Sequence, residues 1–230
     1  MKELLQPIRI GGMWVKNRFV MAPMNTDYST ENGGVARQLE AYFEERARNG
    51  VGLFVVEAAS ITTTSINHAV QPLITDERFV PGWFNMVDAL HAFGAKVSIE
   101  IVHYGSEGAI GERESASSIS HYDGKVKKLT LAGIKRIQKE FVDAAVRVKR
   151  AGFDAVTLHA AHGYLLAEFL SQLYNKRTDG YGGSLENRAR FLMETIAGIR
   201  AAVGPAFPIM VRFSVTEWVD GGRDVDESVE

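Results

Sequence analysis

Cysteine is absent from all 230 residues, which excludes disulfides, thiolate nucleophiles and any cysteine-ligated metal or iron-sulfur centre within them. No run of about eighteen apolar residues occurs, so nothing reads as a membrane-spanning helix, and the opening MKELLQPIRIGG is too short and polar for a secretory signal. Charge of neither sign is in surplus: 26 Lys and Arg against 28 Asp and Glu leave a formal net charge of -2, with no bulk attraction to nucleic acid or an anionic membrane. The expectation is a cytoplasmic protein whose partners are small molecules. What remains is an ordinary globular composition, 46% hydrophobic and 23% charged, enough to bury one sizeable core in a single domain.

In chain order, strand and helix patterns alternate. Leu4 to Ile10 and Met13 to Arg18 flank the turn signal Gly11-Gly12, and Phe19 to Ala22 reads as a first strand stopped by Pro23. Val35 to Asn49 is an amphipathic helix ended by Gly50, and Gly52 to Glu57 a second strand. The polar stretch Ser60 to Asn67 is expected on a rim. Pro81 to Phe93 reads as a helix, Lys96 to Val102 as a strand, and His103 to Leu129 as a long binding loop or lid. Ile134, Ile137, Phe141, Ala144, Ala145 and Val148 place a helix over Leu131 to Arg150, with Gly152 past its end. Asp154 to Leu158, Arg188 to Val203 and Ile209 to Phe213 complete the pattern as strand, helix and strand, and Glu230 falls in the start of a further helix.

Repeated βα units predict a parallel sheet, either a (β/α)8 barrel or a doubly wound sheet. A doubly wound dinucleotide fold would carry a glycine-rich turn after the first strand, where APMNTDYS stands instead, so the barrel is preferred. Only five of its eight strands can be counted, and such barrels run to about 250 residues or more. Residues 1-230 are therefore expected to form the N-terminal portion of a (β/α)8 TIM-barrel domain, incomplete at the C-terminus. The first and fifth strands would be left open, an arrangement that favours self-association, so a homo-oligomer is among the expected partners.

Several side chains sit where barrel chemistry is done. His159 and His162 follow the strand DAVTL at once, a catalytic placement at the C-terminal rim of a parallel fold. Their spacing would also suit a metal pair, but no third ligand and no HExxH-like arrangement surrounds them, so no metal is expected. Either could instead be a satisfied structural histidine, and Tyr164 an aromatic packed at a helix start. Arg212, at the end of the fifth strand, needs an anion or acceptor, and Glu57 or Glu100 on neighbouring strands could provide a salt bridge. His103 is either a packed rim histidine or directly functional.

The stretch His159 to Phe191, with HxxHGYLxxEFL and then NxRxDxYGGSxxNRxRF, resembles the old yellow enzyme family of flavin-dependent ene reductases, and within it the branch of bacterial 2,4-dienoyl-CoA reductase and enoate reductases. IGGMWVKNRFVMAPM near the start and VRFS near the end extend the resemblance over almost the whole chain. It independently implies a TIM barrel binding FMN, reduced by NADH or NADPH, and reducing an activated C=C bond of an enone, enoate or enoyl-CoA. Iron-sulfur and FAD modules, where that branch has them, would lie in a C-terminal part outside these residues.

By the same resemblance, His159 and His162 bind the substrate's activating carbonyl, Tyr164 supplies a proton, and Arg212 faces the flavin pyrimidine edge. Pro23, Met24, Asn25 and Thr26 contact the flavin ring edge, and Ala58, just after the second strand, lies against it. Asn25 stands where some relatives have a cysteine. The pattern QxxHxGR becomes EIVHYGS here, with Glu100 for the glutamine and Ser106 for the arginine. An ionised glutamate only accepts hydrogen bonds, so either Glu100 is protonated, or it pairs with Arg212, or the flavin site is altered. Other readings are an amine-oxidising flavin dehydrogenase of the same superfamily and a non-catalytic half-barrel.

Overall fold

Each strand of a wall covered on both faces must send its side chains alternately to two different surroundings, and here the two differ in polarity. The computed structural model describes residues 2–119 and 124–230. Five parallel strands form its main sheet: Val20–Met21 (β1), Leu53–Ser60 (β2), Lys96–Val102 (β3), Ala155–Ala160 (β4) and Ile209–Phe213 (β5). Four helices alternate with them: Arg37–Arg48 (α1), Val80–His91 (α2), Leu131–Arg150 (α3) and Leu185–Val203 (α4). Spatial order follows chain order without reversal, as in the wall of a (β/α)8 barrel and unlike a doubly wound sheet.

Phe54 and Val56 of β2, Val97, Ile99 and Ile101 of β3, and Val156 and Leu158 of β4 join the main core beneath the helices, with Trp83, Phe141 and Phe191. The intervening residues, Glu57, Ser98, Glu100, Thr157 and His159, are polar yet equally buried, on the opposite face that lines the barrel interior. Ser98 Oγ and Thr157 Oγ1 satisfy each other at 2.8 Å, while Glu57 is met by Thr26 and Glu100 by Arg212. The antiparallel hairpin Ile8–Ile10 with Met13–Val15 closes the floor, where Met13 and Val15 pack on Leu53. Its Gly12 has to be glycine, because a Cβ there would stand 2.8 Å from the Ala206 carbonyl oxygen just before β5.

Boundaries differ from expectation where a polar residue is satisfied internally. β2 runs past Glu57 to Ser60 and β4 past Leu158 to Ala160, so Ala58 and His159 lie within strands and not after them. The stretch expected on the rim from Ser60 is partly core: Ser60 and Ser65 are buried, the Ser60 hydroxyl reaching the carbonyls of Thr62 and Ser65 at 2.8 Å. α4 starts at Leu185, ahead of Arg188, because the Ser184 hydroxyl accepts from the Asn187 amide. The loop from His103 holds a short turn, Gly105–Glu107, and small ladders at Ile110–Gly111 and Glu114–Ser115; its residues 120–123 lie outside the described residues. The further helix expected near Glu230 is present at Val225–Val229. Among the described residues no helix is long and apolar enough to cross a membrane.

The turn after β3 is pinned by Glu168, which is fully buried on the short helix Leu165–Leu170 and accepts from the Ser106 amide at 2.7 Å. Burial pushes its carboxyl up to about 8, against the lowering effect of the Ser106 and Ser115 bonds. The native state thus keeps a proton that the unfolded chain releases, so this contribution is full below the ordinary carboxylate range and is lost as pH rises through about 8. Glu168→Gln should flatten the decline in urea midpoint between about pH 5 and about pH 9. An undiminished decline would place the titrating group elsewhere.

Candidate active site

The upper interior layer gathers the charged groups. Glu100, buried on β3, takes Arg212 Nη1 at 3.3 and 3.2 Å on its two oxygens, and the other arm of Arg212, Nη2, meets His162 Nε2 at 3.2 Å. His159 is register partner of Arg212 across the β4 to β5 pairing, and its Nε2 lies 3.8 Å from Glu100 Oε2. Of the two carboxylates that could have met Arg212, the partner is Glu100. Burial raises the Glu100 carboxyl to about 7 even with Arg212 pulling it down. Burial, then His162 and Arg212, push the His159 imidazole down to about 3, and burial with Arg212 also lowers His162, so both are neutral at neutral pH.

The hydrogen bonds assign the tautomers. His159 Nδ1 accepts from the Ala161 amide at 3.3 Å, leaving its proton on Nε2, whereas His162 Nε2 accepts from Arg212, leaving its proton on Nδ1. Each ring therefore offers one N–H. His162 and Gly163 both adopt left-handed backbone, φ 58° and 74°, and the His162 amide donates to Ser214 Oγ, which turns that ring back over β5. Tyr164 follows as the N-cap residue of the short helix, its ring centroid 4.8 Å from that of His159 and 6.2 Å from that of His162. The three residues expected to act together are thus brought together.

Among the positions expected to contact a flavin, Thr26 is tied down: its amide and hydroxyl donate to the two oxygens of buried Glu57, at 3.0 and 2.6 Å. Burial raises the Glu57 carboxyl, the Thr26 bonds opposing. Ala58 is buried beside it, Pro23 is half-buried, and Met24 and Asn25 are exposed. His103 is a packed residue, fully buried and lowered to about 3 by burial, with Nδ1 accepting from the Gly105 amide. Sequence reading missed Tyr104 and Gln71, whose side chains bond to each other behind the rim; the signal available was a tyrosine directly after His103.

The polar loop that carries most of the sequence signature is directed inward. Arg177 forks onto Asp179 at 3.0 and 2.6 Å and donates through Nη1 to the carbonyls of Ala116 and Leu129. Asn175 donates to the carbonyls of Phe169 and Tyr181, and Arg188 to the Leu170 carbonyl and Glu227. These donors lock helix to loop.

Comparison with known proteins gives a consistent picture. Residues 3–230 match the NADH:flavin oxidoreductase / NADH oxidase family. An NADH oxidase of Thermoanaerobacter brockii is 40% identical over 227 residues, covering 95% of this chain and 35% of its own length. The structure of a 2-naphthoyl-CoA reductase in complex with 2-naphthoyl-CoA superposes with a TM-score of 0.95 at 31% identity, over 99% of this chain and 38% of that one. An old yellow enzyme from Pichia sp. AKU4542 gives 0.90 at 31% identity, over 97% and 62%. The chain thus spans about a third of the length of the first two.

Because Arg177 is buried and serves two carbonyls as well as Asp179, Arg177→Met should lower unfolding free energy by about 2 kcal/mol or more in urea titrations, through stranded acceptors. Arg177→Lys should recover little of it, since an ammonium cannot fork. A loss within error for the methionine variant would show these bonds to be replaceable by water.

Proposed function

This chain belongs to the NADH:flavin oxidoreductase / NADH oxidase family, and we propose that it forms the N-terminal portion of a flavin-binding barrel that oxidises NADH or NADPH and reduces an activated C=C bond. The observation that carries the reading is the cluster of His159, His162 and Tyr164 beside the Glu100–Arg212 pair. The acceptor would be an enone, enoate or enoyl-CoA, and the setting the cytoplasm, where nicotinamide nucleotides are supplied.

The rim fits FMN by its donor set. Arg212 keeps 35% of its side chain open to solvent and would face the pyrimidine edge; Ala58 leaves room for close approach, and Thr26, braced by Glu57, would hold the ring edge with Pro23, Met24 and Asn25. Bound FMN supplies the hydride store that couples a nicotinamide donor to an acceptor in ping-pong order. The His159 Nε2–H and His162 Nδ1–H are available to a carbonyl oxygen. Two neutral donors on that oxygen draw charge from the conjugated alkene and make its β-carbon electrophilic. Tyr164, a phenol that remains protonated at neutral pH, delivers a proton to the α-carbon. Glu100 partly neutralises Arg212, and the burial of His159, with Arg212 beside both imidazoles, keeps the histidines from competing as cations.

Tyr164→Phe should slow reoxidation by an enone about a hundredfold or more while reduction by NAD(P)H is spared, as read by stopped-flow flavin absorbance. Equal losses would remove Tyr164 from the acid role. Glu100→Gln should raise the flavin reduction potential, and the gap from the parent should open as pH rises through about 7, where Glu100 ionises, and close below it. A gap that does not vary with pH would mean that Glu100 does not titrate at the site.

A further inference from the structure

Behind the rim lies a small apolar cluster separate from the main core: Ala58, Val102 and Tyr104, with Tyr164 packed against it. Tyr104 is fully buried, and burying a phenol is favourable only if its hydroxyl finds a partner. It donates to Gln71 Oε1 at 2.6 Å, and Gln71, also buried, donates through Nε2 to the Ala58 carbonyl. The Tyr104 amide donates to Ser65 Oγ at 3.0 Å. The ring is therefore held at both ends.

Against this held ring Tyr164 packs edge to face, with centroids 4.7 Å apart and planes at 77°. It also packs beside the buried His159 ring. Tyr104 and Gln71 do not reach solvent, so neither meets substrate, and phenylalanine and leucine would fill the same volume without importing polar atoms. The polar chain does accomplish one thing apolar residues cannot: it links the ring under Tyr164 to the strand end at Ala58 through directional bonds.

We infer that Tyr104 is a positioning residue for Tyr164, and that Gln71 locks Tyr104 to Ala58, so that the proton donor and the wall beside the flavin keep one separation. The inference rests on the role of Tyr164 as acid. A misplacement of about 1 Å is enough to cost a reaction a hundredfold, which sets the scale of the effect.

Three variants of the full-length, flavin-loaded protein test it: Tyr104→Phe removes the hydroxyl, Tyr104→Leu the ring, and Gln71→Met the anchor. Tyr104→Leu should slow reoxidation by an enone about tenfold to a hundredfold and leave reduction by NAD(P)H within about twofold. Tyr104→Phe and Gln71→Met should slow the same half-reaction by less. In protein labelled at tyrosine with carbon-13, the Tyr164 ring resonance, identified by its loss in Tyr164→Phe, should move in all three variants. Equal slowing of both half-reactions, or a Tyr164 resonance unmoved in Tyr104→Phe and Gln71→Met, which keep the neighbouring ring, overturns the inference. If Tyr164→Phe leaves reoxidation intact while the Tyr164 resonance still moves in Tyr104→Phe and Gln71→Met, the acid role fails and the positioning stands. Should Tyr104→Leu not fold, the phenylalanine and methionine variants give the same two readouts.

Discussion

Polar side chains on the inner face of a parallel wall cannot reach the helices, and those below the rim cannot reach water; they must find partners among one another or on the loops at the strand ends. Ser98 and Thr157 meet that constraint with a single bond between hydroxyls. One layer up, Glu100 meets it through Arg212, whose other arm reaches the exposed His162, and Glu57 meets it by reaching over to the loop at Thr26. The groups that furnish the candidate site are the same groups the strands could not otherwise bury. Site and fold share one set of contacts here, which is why Glu100 and His159 are so strongly desolvated.

Much of the architecture was legible because apolar spacing reports the outer face of the wall. The spans of β3, β5 and α3 agree with expectation residue for residue, each being a periodic run with clear ends. Where the inner face turned polar, reading stopped too soon: β2 was ended at Glu57 and β4 before His159, although both side chains find partners inside. Nothing in a linear sequence says that Thr26 will satisfy Glu57. The trio at 159, 162 and 164 was legible through its motif, but the choice between Glu57 and Glu100 as partner of Arg212 depended on register between strands distant in sequence.

The densest part of the signature proved to be scaffolding. Arg177, Asn175 and Arg188 spend their donors on carbonyls and carboxylates of the protein, while the candidate site sits on a handful of residues at or just past strand ends. A demanding motif and a reactive one need not coincide, since a loop that must hold a fixed shape restricts residue choice as severely as a substrate does. Tyr104, beside the cluster, had only its place after His103 to mark it in the sequence, and its contacts are what bring it out.

The unbroken order of the strands bears on how the molecule comes into being. Every strand of the wall pairs only with the one made just before it and the one made just after. Each later βα unit emerging from a ribosome thus finds its docking edge already synthesised, and of these strands only the first, at the edge of the sheet, would wait for a distant partner to close a barrel. Parallel sheets are slow to form when their pairings are far apart in sequence. This wall can be laid down in the direction of translation, exposing to the crowded cell its newest edge and the outer edge of the first strand.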